Sequence, residues 1–449
     1  MPGFTAERFR LRVRALLGGN RYRYSRPVEG NFNCLAPGEF DWWKYKYYIR
    51  QPEKAEKGKG IETYFRKQDL SFQSGGLEKE GEFTLTAGGD LLSGSEITER
   101  TTGHLWDDVR DFYFNADAVY ANLETPFAVS KQASDAPKSG ITSAPALNGT
   151  AAMFDRFVNG GRGITFFSTA NNHCLDAGEA GLTETLDFLD ARGYPHVGTA
   201  RTERERGDIP IVEKNGVRVA FVAYTFSLNG RTPPEGKEYL TNYIRLNKPD
   251  ADISLIGEHV RSARRKGADV VVACLHWSLE FESYPVGNVI GMGHRILEET
   301  GADVILGNHA HVIQPLEKYR FTDPVSGAEK EGLIAYSLGN LVSDFNTKNC
   351  RVSLLLKISF VKGIRNGREE TVIGGLRLKP IYTCKKYESG ECTDFRLLDF
   401  LKLARQLETG NSRFGIGKKE EKEIFRLRDL FARLLPEKHD TLMEKVMPQ

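Results

Sequence analysis

The sequence predicts an α/β fold in which helices cover two β-sheets. Between about residues 83 and 384, apolar runs typical of buried strands alternate with stretches of helical periodicity. Such alternation indicates crossover units, in which a helix packs over a sheet. The later strand-like runs are longer and have few helices between them, which predicts a second, more antiparallel sheet. At 449 residues, the chain is long enough for a large core.

The predicted strands are short runs of mainly apolar residues. In chain order they span 83–87, 118–121, 164–169, 217–224, 269–275, 303–306, 333–336, 353–360 and 371–381. A helix is predicted at 179–191, where leucines recur on one face and a glycine follows. Similar periodicity predicts helices at 253–266 and 293–300.

Residues 1–80 are predicted to form an N-terminal extension. Residues 1–50 are aromatic and basic, with a cluster of aromatic residues and lysines at 42–48, and residues 51–60 have the charged composition of an exposed linker. Aromatic rings that alternate with lysines could stack on single-stranded nucleic acid. We favour an extension whose rings pack onto the main domain, because one short patch lacks a wider basic surface.

The main domain is predicted to span residues 81–385, and residues 386–449 are predicted to form a C-terminal helical segment. The pattern of residues 395–449 is helical throughout, with both signs of charge opposite an apolar stripe. The stripe consists of Ile424, Leu427, Phe431 and Leu434. A helix with this stripe is expected to cover the core rather than lie on a membrane.

The composition is that of a soluble globular protein, with 40% hydrophobic and 27% charged residues. The formal net charge of +2 gives no global electrostatic reason to bind nucleic acid or an anionic membrane. No run approaches the roughly 18 apolar residues of a membrane span. The N-terminus has no apolar signal region, so a cytoplasmic location is expected. The absence of a phosphate-binding loop motif argues against an ATP-driven ligase working alone.

The six cysteines form no Cys-x-x-Cys pair, so a zinc ribbon or a thioredoxin-type site is not indicated. Cys174 and Cys274 are expected to be reduced packing residues. Cys384 and Cys392 could pair if the protein were exported. Cys34 and Cys350 carry no further prediction.

Residues of the types that bind metals follow five predicted strands. They are Asp90 after 83–87, Glu124 after 118–121, Asn172 and His173 after 164–169, His276 after 269–275, and His309 and His311 after 303–306. In open α/β sheets, ligands bind beyond the carboxyl ends of the strands, so these residues are expected to share one site. An extended backbone would point His309 and His311 to the same side.

The donor types in this set suggest a transition metal. Two carboxylates, one amide oxygen and three imidazoles suit Mn, Fe or Zn better than Ca or Mg, which prefer oxygen alone. One or two divalent ions are expected. Two ions could share a bridging carboxylate and activate a water molecule for attack on phosphorus.

Several segments together resemble the CapA family of poly-γ-glutamate capsule biosynthesis proteins, within the calcineurin-like metallophosphoesterase superfamily. They are Gly89-Asp90, Asn122-Leu123-Glu124, Asn171-Asn172-His173, His276-Trp277, Gly307-Asn308-His309-Ala310-His311 and Tyr336-Ser337-Leu338-Gly339-Asn340. The resemblance also includes 170–199 and covers about residues 83–385. It implies a four-layer αββα sandwich of the metallophosphoesterase type, with an N-terminal extension and C-terminal helices.

The resemblance also implies a role for each candidate residue. Asp90 and His311 would bind a first metal, Asn172, His276 and His309 a second, Glu124 both, and His173 would protonate the leaving group. For His173, a core histidine that closes the turn is the alternative. Low-ranking candidates for substrate binding, each of which could equally serve packing, are Trp277, Glu280, Tyr284 and Asn340.

Leu92 stands where many metallophosphoesterases carry a histidine ligand, so the first site keeps only three of the expected ligands. The implied activity is a metal-dependent hydrolase that cleaves a phosphoester or a γ-glutamyl-type amide through a metal-activated water. A non-catalytic accessory protein that binds poly-γ-glutamate or a related anionic polymer in capsule or cell-envelope biosynthesis is the first alternative. Binding of single-stranded nucleic acid by the N-terminal extension is the second. The expected partner is an anionic small molecule, peptide or polymer.

Overall fold

Two β-sheets lie face to face at the centre of the computed structural model, which describes residues 2–30, 37–136, 141–411, 414–437 and 442–443. The first sheet has the strand order β14-β13-β12-β1-β2-β3-β4, and β11 pairs with β1 outside this path. The second has the order β5-β6-β7-β8-β10-β9. The strands are β1 (Glu78–Leu91), β2 (Ala118–Leu123), β3 (Phe166–Ser168), β4 (His196–Val197), β5 (Ile211–Lys214), β6 (Val217–Thr225), β7 (Val270–His276), β8 (Val304–Asn308), β9 (Leu316–Thr322), β10 (Glu329–Ala335), β11 (Asn340–Val342), β12 (Val352–Arg365), β13 (Arg368–Glu388) and β14 (Glu391–Asp399).

Helices flank the two sheets and extend from both ends of the main domain. They are α1 (Pro2–Gly18), α2 (Pro37–Tyr48), α3 (Ile61–Arg66), α4 (Arg110–Tyr113), α5 (Ala151–Phe157), α6 (Gly178–Asp190), α7 (Glu203–Arg206), α8 (Ser254–Arg265), α9 (Gly287–Thr300), α10 (Phe400–Glu408) and α11 (Lys418–Leu434). Within the described ranges, no helix is both long enough and apolar enough to cross a membrane.

The hydrophobic residues form layers on both sides of each sheet. Leu85 of β1, Phe221 of β6 and Leu356 of β12 belong to a core between the sheets, and α8 and α9 add their apolar faces to the other side of the second sheet. A separate core joins the outer face of the first sheet to α4, α5 and α6 through residues such as Phe154 and Phe167. The predicted four-layer αββα arrangement is confirmed.

Parallel pairing brings the carboxyl ends of the central strands to one edge of each sheet. β1, β2 and β3 run parallel in the first sheet, and β6, β7, β8 and β10 run parallel in the second. These edges are the places where the predicted metal ligands occur, because a ligand-type residue ends or follows each of β1, β2, β7 and β8.

The prediction of a separate antiparallel sheet for the later strands is wrong. β12, β13 and β14 are antiparallel to one another, but β12 pairs with β1 over most of its length, so the three strands extend the first sheet. β13 runs across the predicted boundary at residue 385. β14 occupies residues 391–399, so the helical prediction for 395–399 is also wrong, because the long antiparallel ladder with β13 determines the local structure there.

The N-terminal segment packs onto the main domain, as favoured from the sequence. The Trp43 ring contacts Phe281, and the Tyr47 ring contacts Phe281 and Phe345. Trp42 is 2% exposed and is covered by the side chains of Arg26 and Lys46.

The cysteines within the described ranges, at positions 174, 274, 350, 384 and 392, are free and buried. Cys384 and Cys392 are not opposite each other across the β13–β14 ladder, because Cys384 pairs with Arg396. Cys34 lies outside the described residues.

Candidate metal centre

Asp90 lies near the end of β1, at the first position where β1 pairs again with β2 after a break in register. The predicted strand ended at Ala87, but the structure continues it through Gly88 and Gly89. A Cβ atom at Gly89 would lie 1.8 Å from the carbonyl oxygen of Gly339, so this close approach needs glycine. The Asp90 amide donates to the same carbonyl at 3.0 Å, which directs the side chain to the edge where both sheets end.

One group of ligand atoms surrounds Nε2 of His276, the last residue of β7. This atom lies 2.9 Å from Oδ1 of Asn172, 3.1 Å from Nδ1 of His309 and 3.2 Å from Oε1 of Glu124. Four side chains from four separate segments therefore converge on one point. We call these four residues the second cluster.

A first cluster contains Asp90, His311 and the same Glu124. Nδ1 of His311 lies 3.4 Å from Oδ2 of Asp90 and 3.8 Å from Oε2 of Glu124. Glu124 thus presents one carboxylate oxygen to each cluster. The structure brings all six residues predicted to bind metal to one place.

The two histidines of the His-x-His segment do not lie on an extended backbone, so that part of the prediction is wrong. β8 ends at Asn308, and His309 and His311 have φ angles of +87° and +58°. The left-handed turn still turns both imidazoles toward the clusters. It is held partly by the His309 amide, which donates to Oδ2 of Asp90 at 3.1 Å.

Burial and mutual charge shift the protonation of these groups. Burial and the neighbouring Asp90 carboxylate raise the pKa of Glu124 well above its usual value. Burial lowers the pKa of His276 to about 3 and that of His309 well below its usual value. Burial alone would lower the pKa of His311. The contact of His311 with the Asp90 carboxylate outweighs burial, so the pKa of His311 is raised. His276 and His309 are therefore neutral, which is the form that binds metals.

The carboxylate of Glu124 supplies a direct test of whether a cation fits here. Its side chain is fully buried, and neither oxygen accepts a hydrogen bond from any residue that the structure describes. A buried carboxylate without donors costs several kcal/mol unless another group compensates it. A divalent cation in each cluster would compensate both oxygens, so the residues fit a metal site.

A set of buried polar residues behind the first cluster holds Asp90 in place. The Asn122 amide donates to Oδ1 of Asp90 at 2.7 Å, and the Ser168 hydroxyl donates to Oδ1 of Asn122 at 2.8 Å. Nδ2 of Asn122 also lies 3.2 Å from Nδ1 of His276. No role for Asn122 was predicted from the sequence, although its position at the end of β2 is the same kind of signal that pointed to the candidate ligands.

His173 lies beside the clusters, with its ring fixed on one side. Its Nδ1 is 2.6 Å from Oδ2 of Asp176, and its Nε2 is 4.0 Å from Oε1 of Glu124. Asp176 also accepts from the Leu147 amide at 2.7 Å and pairs with Arg231 at 2.8 Å. Neither Asp176 nor Arg231 was assigned a role from the sequence.

Among the low-ranking candidates, only Glu280 and Asn340 lie near the clusters. Oδ1 of Asn340 lies 2.8 Å from Nδ1 of His311. Trp277 donates to the carbonyl of Tyr336 at 3.1 Å inside the core, and the Tyr284 hydroxyl donates to the carbonyl of Arg433 in α11. The packing alternative fits these two residues.

A cavity of about 30 Å³ adjoins the first cluster. Asn172, His173, His311 and Glu280 form its polar wall, and Leu92 lies on its apolar wall. The cavity wall also includes Trp43 and Tyr47 of α2, so the N-terminal segment helps to enclose the centre.

Two of the curated relatives carry the name CapA. A stretch of 280 residues, 61% of this chain, is 26% identical to "Capsule biosynthesis protein CapA" of Bacillus anthracis and spans 63% of that protein. A stretch of 279 residues is 27% identical to "PGA biosynthesis protein CapA" of Bacillus subtilis (strain 168) and spans 67% of that protein. A "Probable polyglutamine synthesis accessory protein" of Mycobacterium tuberculosis is 24% identical over 180 residues, which are 39% of this chain and 44% of that protein.

Among solved structures, a calcineurin-like phosphoesterase of Bacillus subtilis, YfkN, is 15% identical to this chain. The match covers 78% of this chain and 99% of that chain with a TM-score of 0.37. The family model described as "Bacterial capsule synthesis protein PGA_cap" matches residues 84–345, which include all six candidate ligands. This match covers more than half of the 449 residues, and it shows that the chain belongs to the PGA_cap family, in agreement with the resemblance to CapA.

Proposed function

We propose that this protein is a metal-dependent hydrolase that cleaves a phosphoester or a γ-glutamyl-type amide with water. The observation that carries the proposal is Glu124, a fully buried carboxylate with one oxygen facing each of two ligand clusters and no hydrogen-bond donor among the described residues. A structural carboxylate at such a position would be expected to have hydrogen-bond donors of its own.

The ligand types and their arrangement support two divalent transition metals, Mn, Fe or Zn. Asn172, His276 and His309 would hold one ion, Asp90 and His311 the other, and Glu124 would contact both. Ions bound there would polarise the substrate and lower the pKa of a water molecule. Asn122 and the His309 amide keep the Asp90 carboxylate in position for this role.

His173 is the residue best placed to move a proton. Asp176 holds its Nδ1 at 2.6 Å, which leaves Nε2 on the side that faces Glu124. In the proposed reaction, the doubly protonated ring donates its Nε2 proton to the leaving oxygen of a phosphoester or to the leaving nitrogen of an amide, and the neutral ring that remains keeps its Nδ1 proton on Asp176. Arg231 and the Leu147 amide hold Asp176, so the ring cannot turn without breaking several contacts.

The test is an activity assay of the full chain loaded with Mn²⁺ or Zn²⁺. The substrates are a chromogenic phosphodiester and γ-glutamyl oligomers. We expect turnover of at least one substrate, loss of that turnover in His309→Ala, and a large decrease in His173→Gln with the metal content retained. No turnover of either substrate, with wild type equal to His309→Ala, would contradict the proposal.

A non-catalytic accessory role is the second candidate, and Leu92 is the observation that favours it. Leu92 is buried among apolar side chains beside the first cluster, which leaves that cluster one ligand short of the set expected from the resemblance. The names of the relatives point to polyglutamate or polyglutamine synthesis. An accessory protein would bind poly-γ-glutamate in a metal-dependent manner and leave its length unchanged, which gel analysis of the polymer after incubation would reveal.

Binding of single-stranded nucleic acid by the N-terminal segment has less support. Trp42 and Trp43 are buried, and stacking on bases needs exposed ring faces.

A further inference from the structure

Helix α1 carries a stripe of exposed apolar side chains. Phe9, Val13, Leu16 and Leu17 are 70%, 37%, 82% and 84% exposed. Val13 comes four residues after Phe9, and Leu16 and Leu17 come three and four residues after Val13. This spacing places all four on one face of the helix. We call these four residues the α1 stripe. Exposed side chains of this size are ordinary when scattered, but a contiguous row of them marks an interaction surface.

The opposite face of α1 is fixed to the rest of the chain. Leu11 is completely buried, Glu7 pairs with Lys44 of α2 at 2.8 Å, and Arg10 and Arg14 both pair with Asp41 of α2. These contacts determine which face of α1 points outward. The α1 stripe is therefore presented to the surroundings by a helix that is already folded and oriented.

Arginines border the α1 stripe on both sides. At 100° per residue, Arg10 lies along one edge of the stripe and Arg12 along the other. Both side chains are exposed, and Arg10 keeps 45% of its side-chain surface exposed although it pairs with Asp41. Glu7 is the only acidic residue of α1, and it lies on the face that packs against α2.

We propose that α1 binds the surface of an anionic lipid bilayer, with the α1 stripe inserted among the acyl chains and the bordering arginines at the headgroups. An interfacial helix typically combines an apolar face with basic residues at its edges. Arginine side chains are long enough to reach up from the edge of such a face to the phosphates. Each cationic residue near an anionic membrane surface adds to the attraction.

A second copy of the chain fits the α1 stripe less well than a bilayer does. Two stripes packed against each other would bring the arginine rows of both copies together, and like charges at an interface oppose association. Four side chains of one helix also cover much less than the roughly 800 Å² per partner that a stable protein interface needs. The proposal concerns a surface that the proposed hydrolase activity does not use, so either can fail without the other.

The experiment is co-sedimentation of the full chain with lipid vesicles. One set of vesicles is phosphatidylcholine alone, and the other contains about 30% phosphatidylglycerol to supply anionic headgroups. We expect at least about tenfold tighter binding to the anionic vesicles, and weaker binding when salt is raised from about 0.1 to 0.5 M, because salt screens the arginines. Absence of binding to the anionic vesicles would overturn the proposal.

Variants separate the α1 stripe from other apolar surface residues. Leu16→Asp combined with Leu17→Asp should lower the affinity for anionic vesicles about tenfold or more, since both side chains would lose their favourable insertion. Val325→Asp is the matched control, because Val325 is 71% exposed and lies in the turn between β9 and β10. Unchanged urea unfolding midpoints would show that both variants fold.

Three outcomes of this comparison would refute the membrane proposal. In the first, the double variant binds anionic vesicles as tightly as wild type. In the second, lipid-free wild type forms a dimer in sedimentation velocity that the double variant does not form, which would assign the α1 stripe to a second copy of the chain. In the third, Val325→Asp loses as much affinity for anionic vesicles as the double variant does, which would show that the α1 stripe has no special role.

Discussion

The indole N–H of Trp43 donates a hydrogen bond to Oε2 of Glu280 at 2.5 Å, and this bond joins α2 to the wall of the candidate metal centre. Lys46, three residues after Trp43, pairs at 2.7 Å with Glu282, two residues after Glu280, and these side chains are 4% and 0% exposed. The segment matched by the family model begins at residue 84, so α2 lies outside it. The centre of this chain is thus enclosed by a helix that the family match does not include.

The Lys46–Glu282 ion pair should be essential for holding α2 against the main domain. Lys46→Met would leave the Glu282 carboxylate buried without its cation, which should lower the free energy of unfolding by about 3–5 kcal/mol. Adding Glu282→Gln to that variant should recover much of the loss, because the unpaired charge disappears. Urea unfolding of the two variants measures both effects.

The Arg66–Glu437 pair provides the control for this comparison. Its side chains are 57% and 67% exposed, so Arg66→Met should cost less than about 1 kcal/mol. A loss in Lys46→Met no larger than that in Arg66→Met would contradict the anchoring role.

Glu124 should lower the stability of the metal-free protein and support that of the metal-bound protein. Glu124→Gln removes a buried carboxylate without hydrogen-bond donors, so the variant should be at least as stable as wild type in EDTA. Added Mn²⁺ should raise the melting temperature of wild type but much less that of the variant, because a ligand stabilises a fold according to its affinity. Differential scanning calorimetry with and without metal distinguishes the two proteins.

Glu80→Gln is the matched control, because Glu80 is exposed on β1. It should respond to Mn²⁺ as wild type does. A Glu124→Gln variant with the full metal-dependent shift would argue against a cation at this carboxylate.

The positions of the candidate ligands could be predicted because they follow from a general rule of parallel sheets. Glu124 and His276 stand where buried strands end, and such ends meet at one edge whatever the details of packing. The left-handed backbone of His309 and His311 could not be predicted, because it depends on contacts with Asp90, over 200 residues away in the chain. Likewise, the strand-like pattern of β12 indicates a strand but not its partner, and the long-range pairing with β1 decides its sheet.

Asp176 was overlooked for a related reason. Its carboxylate is fully buried, yet its contacts with His173, Leu147 and Arg231 come from three different parts of the chain. A sequence pattern shows a short turn around His173 and cannot show that Arg231, in the loop after β6, reaches back to it. Three-dimensional contacts alone reveal this positioning role.

We expect Asp176→Asn to impair the proposed proton transfer while leaving metal binding intact. Asparagine has no negative charge to stabilise the protonated His173 ring, and its N–H₂ can donate to Nδ1, which leaves a neutral ring with its proton on Nε2 as a much weaker acid. Turnover in the assay above should fall by about 10²–10⁴-fold. Elemental analysis should show the wild-type metal content, since Asp176 contacts no ligand atom of the two clusters among the contacts described.

The pH profile of the same variant checks that the effect is chemical. A variant that merely loosens the loop would lose turnover equally at all pH values. A variant that has lost the anionic partner of the His173 ring should change the pH profile of kcat, because the acidity of the proton donor has been altered. Turnover equal to wild type would exclude a positioning role for Asp176.

His259 should make the fold less stable in mild acid. It lies on α8 with Nδ1 2.8 Å from the Tyr224 hydroxyl, and burial, with a smaller contribution from Arg206, lowers its pKa to about 4. Above about pH 6.5 the residue is neutral in both the folded and the unfolded chain, so in that range it does not change the free energy of unfolding with pH. Between about pH 6.5 and 4, only the unfolded chain takes up the proton, so stability falls by up to about 3 kcal/mol.

Urea unfolding of wild type and His259→Gln at pH 7.5 and pH 5 tests this expectation. Glutamine can still accept from the Tyr224 hydroxyl but does not titrate in this range. The variant should therefore lose less stability than wild type on acidification, whatever its stability at pH 7.5. Equal losses in the two proteins would show that His259 does not contribute.

Asn340 should control the metal affinity of the first cluster. Its Oδ1 lies 2.8 Å from Nδ1 of His311, its Nδ2 donates to the Ser343 hydroxyl at 2.9 Å, and its residue is in register with Asp90 on the neighbouring strand. The amide oxygen therefore lies beside the cluster that lacks a ligand at Leu92. It either orients His311 or adds an oxygen donor of its own, and both roles are lost in Asn340→Ala.

We expect about 10–100-fold weaker Mn²⁺ binding at one of two sites in calorimetric titration of Asn340→Ala, with the other site unchanged. Ser343→Ala keeps the amide oxygen and should weaken binding much less, so equal effects of the two variants, or an unchanged titration in Asn340→Ala, would refute the assignment.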